Sequence, residues 1–204
     1  MGKKKISLMT NGELLSYISN VVNGVTQNIQ TYNSYYNNKI ISFSDLVKAA
    51  DESRDLKECA YAITNIYDYT LWVNRKQIII DSLSTSKKPK RGEIWTCELG
   101  QNIGSEENKV RPVIIIQNDT GNDLSPTTIV VPISNRPNKI AVHISLRDSD
   151  YILEQGEVSQ ITGTILCEQI KVVSKARLGR HIATLKPDFV SKILNIKLKN
   201  SIDL

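Results

Sequence analysis

The chain has 204 residues, 40% of them hydrophobic and 23% charged, with three cysteines and two histidines. That is the composition of an ordinary globular protein, long enough for one large domain or two small ones. Three cysteines in no paired spacing, Cys59, Cys97 and Cys167, exclude a disulfide framework and a zinc signature.

The start "MGKKKISLMTNGELL" is basic but lacks an apolar core followed by small residues, and no apolar run reaches the length of a membrane span. The expectation is a cytoplasmic protein with no membrane partner. The net charge of +5 is unevenly spread: twelve basic against eight acidic residues up to Lys90, fourteen against thirteen beyond it. Most of the excess sits in "KKK" (Lys3–Lys5) and "KKPKR" (Lys87–Arg91), which read as a solvated tail and a linker.

In chain order, Leu14, Leu15, Ile18, Val21, Val22, Val25 and Ile29 recur at helical spacing, with Asn11 as a cap. A tyrosine-rich break, "TYNSYYNNK", follows, and a short helix opens near Ser44. Leu56, Cys59, Ala60, Ile63, Ile66, Tyr67, Thr70 and Leu71 form a second stripe that continues toward Leu83. A helix of that length needs something to pack on, because isolated helices are marginal in water. "LSTSKKPKRGE" has the composition of a boundary. The expected organisation is a helical region over 1–83, a linker over 84–90 and a second domain over 91–204.

Past the linker the period becomes strand-like. "EIWTCEL" alternates, "RPVIIIQ" and "TIVVPI" are continuous and β-branched, "AVHISL" is short, and "TGTILCEQIKVVS" is long enough for one bent or bulged strand. Pro187 opens a terminal helix with Phe189, Val190, Ile193, Leu194 and Ile196 behind it. The fold class is α+β: an N-terminal all-α extension, then a small, mostly antiparallel barrel closed by a C-terminal helix.

The second half carries a recognisable set of motifs. "RGEIWTCEL", "GSEENKVRPVIIIQND", "SPTTIVVPIS" and "ILCEQIKVVSKARL", in that order and with short gaps, resemble the MazF/PemK toxins of bacterial type II toxin–antitoxin modules. The resemblance covers residues 91–204 and implies nothing about residues 1–90. It implies an SH3-like or CcdB-like barrel that works as a homodimer. The implied activity is metal-independent, cofactor-free cleavage of single-stranded RNA, including mRNA, at short sequence motifs. It implies silencing by a cognate antitoxin, with DNA touched only indirectly through the antitoxin complex. A non-catalytic, CcdB-like protein-binding toxin or an interaction module is the alternative.

RNA supplies its own nucleophile. The 2′-hydroxyl attacks the adjacent phosphorus, leaving a 2′,3′-cyclic phosphate and a 5′-hydroxyl, provided the enzyme aligns the backbone and stabilises the added negative charge. Arg111 offers a planar fork able to hold two phosphoryl oxygens, and Pro112 restricts the backbone after it. The resemblance makes Arg111 catalytic, and places Ser134 where relatives carry a catalytic threonine. It also makes the loop before Arg111 a gate on the RNA groove, with Ser105 on a phosphate; Glu106 in that loop equally suits a base amino group or plain solvation. Gln117 and Asn118 are candidates for base edges, although "NDTGND" equally suits a tight loop. Glu168 and Gln169 are neighbours on a strand, so one faces the groove and the other turns away. His143 suits proton transfer near neutral pH, but the alternation of "AVHISL" turns it from Arg111. Trp95 offers an aromatic face to a base or, more simply, to the core.

Overall fold

The computed structural model describes residues 53–82, 86–135 and 140–204, with scattered positions between 16 and 41; for 53–60, 62 and 63 it describes only the backbone. The chain divides into two compact units, Met1–Tyr67 and Asp68–Leu204. No helix among the described residues is long and apolar enough to cross a membrane.

In the first unit, the described positions from Ser16 to Ile41 are helical and exposed, including Thr31, Asn33, Ser34, Tyr35, Asn37 and Asn38. The expected tyrosine-rich break is therefore helical at those positions. Its segment contains neither Pro nor Gly, and the Thr31 hydroxyl bonds back to the Gln27 carbonyl at 3.0 Å, the helical i−4 pattern. The Asn11 cap, the apolar stripe from Leu14 to Ile29 and the helix opening near Ser44 lie outside the described residues.

Helix α1 (Ser53–Asp81) runs for 29 residues, as its stripe of apolar residues predicts. Its last part, from Asp68 onward, belongs to the second unit and packs on the barrel there. Asp68 pairs with Lys109 at 2.7 Å and Arg75 with Glu98 at 2.8 Å. The Trp72 indole lies over Gly100, and the Arg177 guanidinium stands 5.2 Å from the indole centroid. That docking supplies the partner a helix of this length requires.

The barrel strands are β1 (Glu93–Glu98), β2 (Val110–Ile115), β3 (Thr127–Ser134), β4 (His143–Ser145), β5 (Tyr151–Leu153), β6 (Thr164–Leu166), β7 (Lys171–Ser174) and β8 (Leu178–Leu185). They pair antiparallel in the order β4-β6-β3-β2-β1-β8-β5, with β7 also on β3. A short helix α2 (Asp119–Leu124) precedes β3. The closing helix α3 spans residues 187–201, beginning at Pro187 as expected and passing through a π-turn at Val190–Leu194.

Strand β3 organises the sheet. Thr127–Val130 pair with β7, whereas Ile133 and Ser134 pair with β6. Pro132, which has no N–H to donate, sits between those two ladders and pairs across to Val113 of β2. The run "TGTILCEQIKVVS", expected as one bent strand, is thus two strands on different parts of β3. The Gln169 N–H closes the turn between them onto the Leu166 carbonyl at 2.9 Å.

The continuous β-branched runs become the core: Val113, Ile114, Ile115, Val130 and Val131 are fully buried. The main cluster gathers Ile94, Ile114, Val131, Ile165 and Ile182 with Phe189, Leu194 and Leu198 of α3. On the other face of the sheet, Cys97, Val113, Ile115, Val130, Val173 and Leu178 make a second cluster against Trp95.

Candidate active site

Residues 99–109 form the loop between β1 and β2, and its base is stapled by two backbone bonds: Lys109 N–H to Gly100 O at 2.7 Å and Leu99 N–H to Lys109 O at 2.9 Å. Lys109 adopts φ +66°, a left-handed conformation that lets the chain turn sharply into β2. Asn102 stiffens the loop from inside, donating its side-chain amide to the Glu107 carbonyl at 2.8 Å while its backbone N–H meets Asn108 Oδ1 at 2.7 Å.

Arg111 enters β2 directly after this loop. Its Nε donates to the Asn108 carbonyl at 3.1 Å and lies 3.2 Å from Glu107 Oε2. The other Glu107 oxygen, Oε1, accepts the Ser134 hydroxyl at 2.8 Å. Ser134, at the end of β3, is 1% exposed, and Glu107 is 3% exposed. The expected pair, Arg111 and Ser134, is therefore brought together, but through Glu107, a residue that the sequence does not single out. Its one available signal was its place four residues before Arg111; nothing in "SEENK" tells which of two adjacent glutamates turns inward.

Glu106, the neighbour, turns outward and pairs with Lys171 of β7 at 3.1 Å. Gln169 clasps the same loop, accepting from the Glu107 N–H at 2.9 Å and donating to the Ser105 carbonyl at 3.3 Å. Glu168 is exposed and meets His143 Nε2 at 3.0 Å. A cleft of about 240 Å³ runs here, lined by Glu106, Pro132, Glu168, Gln169 and Lys171 among others. Glu106, Glu168 and Gln169 thus line one cleft together with Glu107 of the Arg111–Glu107–Ser134 array, Ser105 reaches it only through its bond to Gln169, and His143 lines a separate cavity with Ser145, Arg147 and Phe189.

The remaining candidates stand elsewhere. Gln117 lies beyond the far end of β2, about 20 Å along an extended chain from Arg111, and its amide reaches the Thr127 carbonyl at 3.4 Å. The Asn118 side chain is spent on capping α2, accepting from the Gly121 N–H at 2.7 Å. Trp95 stacks on His181 with centroids 5.4 Å apart and donates to Glu93 at 2.8 Å.

Among the described residues no three His, Cys, Asp or Glu side chains converge in a way that could hold a metal ion. Burial pushes the thiols of Cys97 and Cys167 up to about 12, so neither has a thiolate to offer near neutral pH.

Residues 90–201 match the family described as the PemK-like, MazF-like toxin of type II toxin–antitoxin systems. Endoribonuclease MazF of Staphylococcus saprophyticus is 39% identical over 108 residues, which span 52% of this chain and 85% of the relative. Among solved structures, MazF of Deinococcus radiodurans is 15% identical over 58% of this chain and 100% of its own, with a TM-score of 0.48. An endoribonuclease in complex with its cognate antitoxin from a mycobacterial species is 22% identical over 57% of this chain and 96% of its own, with a TM-score of 0.46. On the match over 90–201 and the identity to the staphylococcal relative, the chain belongs to the PemK-like, MazF-like toxins of type II toxin–antitoxin systems.

Proposed function

We propose that residues 91–204 form an endoribonuclease that cuts single-stranded RNA at short sequence motifs, acting in the cytoplasm as a homodimer. The 2′-hydroxyl attacks the adjacent phosphorus in line, giving a 2′,3′-cyclic phosphate and a 5′-hydroxyl, with no cofactor or metal. The observation that carries this reading is the Arg111 guanidinium, a third exposed while its Nε is held from behind by Glu107 and the Asn108 carbonyl. A guanidinium fixed in that way meets a phosphorane without first having to be ordered. Arg111 holds phosphoryl oxygens, and Ser134 acts from beneath the surface through its hydroxyl. Glu106, Lys171, Glu168 and Gln169 around the cleft meet the flanking nucleotides.

A cognate antitoxin, placing acidic chain in the cleft, silences the enzyme, and any DNA contact runs through that complex. Residues 1–83 serve oligomerisation or partner binding, for which exposed Leu71, Val73, Ile78 and Ile80 of α1 offer apolar surface. The chemistry is tested by replacing the ribose at a mapped cut with 2′-deoxyribose. Cleavage there stops if the 2′-hydroxyl is the nucleophile; continued cleavage at that position refutes the reading.

A further inference from the structure

We propose that Glu107 is a positioning residue of this enzyme: it sets the guanidinium of Arg111 against the phosphate and is itself set by Ser134. The proposal rests on the endoribonuclease reading above. A carboxylate that leaves water loses several kcal/mol of hydration unless partners replace it. The Glu107 side chain is 1% exposed, and its two oxygens face different elements: Oε1 accepts from Ser134 at the end of β3, and Oε2 stands 3.2 Å from Arg111 Nε at the start of β2, an ion pair without a hydrogen bond.

The direction of these bonds assigns the roles. Ser134 has one hydroxyl proton, and it goes to Glu107. That bond fixes the rotation of the carboxylate, whose second oxygen then faces Arg111 Nε. Arg111 has five N–H donors. The Nε hydrogen goes to the Asn108 carbonyl at 3.1 Å, Glu107 Oε2 stands 3.2 Å from Nε as the opposite charge, and among the described residues no hydrogen bond or ion pair engages the Nη groups. Side-chain exposure rises along the same path, from the sealed carboxylate to the 32% of Arg111. A sealed carboxylate touches no RNA, so Glu107 acts only by aiming the guanidinium. Glu106 one residue earlier faces solvent and Lys171, which leaves Glu107 alone in this role within the loop.

The test uses the full chain and four proteins: wild type, Glu107→Gln, Ser134→Ala and the double variant. Gln keeps the volume and can still accept from Ser134, but it turns an amide N–H₂ toward Arg111 Nε, donor against donor. Single-turnover cleavage at saturating RNA is measured beside binding of the same RNA carrying 2′-deoxyribose at the cut. Expected are a rate loss of about 10- to 100-fold for Glu107→Gln, of the size a misaimed group costs, and binding within about threefold of wild type. Adding Ser134→Ala to Glu107→Gln produces little further loss, because both changes break one chain of bonds. A Glu107→Gln rate within twofold of wild type overturns the proposal. So do losses that multiply in the double variant, or a rate loss matched by equal loss of binding.

Melting curves accompany each protein. If Glu107→Gln is unfolded at the assay temperature, Glu107→Asp, which keeps the charge but cannot span both partners, is judged by the same criteria. A wild-type enzyme that leaves RNA intact defeats the endoribonuclease reading and this proposal with it. Wild-type cleavage with an indifferent Glu107 variant defeats only the proposal.

Discussion

Gly163 lies against the backbone of Ser134 so closely that a Cβ at position 163 would come within 2.4 Å of the Ser134 carbonyl oxygen, and its φ of +132° is one that side chains avoid. The neighbouring atom is backbone in a paired strand, so it has no room to yield. Gly163→Ala is expected to destabilise the barrel by about 3 kcal/mol, strain and clash together. Denaturant unfolding checks this, and a loss below about 0.5 kcal/mol would show that the two strands are less tightly joined than described.

The docking of α1 on the barrel depends on a second glycine. A Cβ at Gly100, where φ is +91°, would meet the Trp72 indole at 2.7 Å. Gly100→Ala should push the indole off the barrel and loosen the β1–β2 loop at its base, at a cost of about 1–3 kcal/mol. Trp72→Ala removes the indole and its contact with Arg177, worth about 0.5–1 kcal/mol on its own where exposed. Both variants should speed amide hydrogen exchange over residues 68–81. Unchanged exchange there in both would mean that the helix does not rely on this contact.

Cys97 and Cys167 yield a pH prediction. Both thiols have an ordinary value of 9.0 and are pushed up to about 12, in each case chiefly by burial. Below pH 9 both folded and unfolded chains keep the protons, and these groups contribute no pH dependence. Between pH 9 and 12 the unfolded chain releases protons that the folded chain retains, so stability falls as pH rises through that window. Replacing each of the two by Ala should flatten the fall between pH 9 and 10.5, measured by thermal melting. Peptide-mapped alkylation of the native protein at pH 7.5 should leave both residues unmodified; rapid labelling of either would contradict their burial.

The sequence foretold the strands whose hydrophobic pattern was unbroken. "RPVIIIQ" and "TIVVPI" became the central β2 and β3, because strands covered on both faces read as continuous apolar runs. Strand β8 went unread. Gly179 and Arg180 interrupt its pattern, and its register against β1 shifts on either side of Trp95, so alternation is lost where the irregularities fall. Asn118 shows the opposite case: "NDTGND" signalled turn chemistry correctly, yet the cap begins a helix, α2, rather than a loop. Arg111 and Ser134 were legible from their motifs. Glu107 was not, because burial of one of two adjacent acids depends on where β3 ends and on how Asn102 and Gln169 fold the loop.

Arg111 is the residue on which the proposed cleavage most directly depends. Purified wild-type chain and an Arg111→Ala variant are incubated with a long single-stranded RNA in EDTA, and every new end is mapped. Expected are discrete cuts with 5′-hydroxyl ends that share a short motif, reduced about 10²–10³-fold in the variant, the loss that follows when a preorganised charge is removed. Cleavage by the variant at the wild-type rate would contradict the role of Arg111. Intact RNA with wild type, both for the full chain and for a truncate beginning at Lys90, would contradict the nuclease itself and point to a protein target.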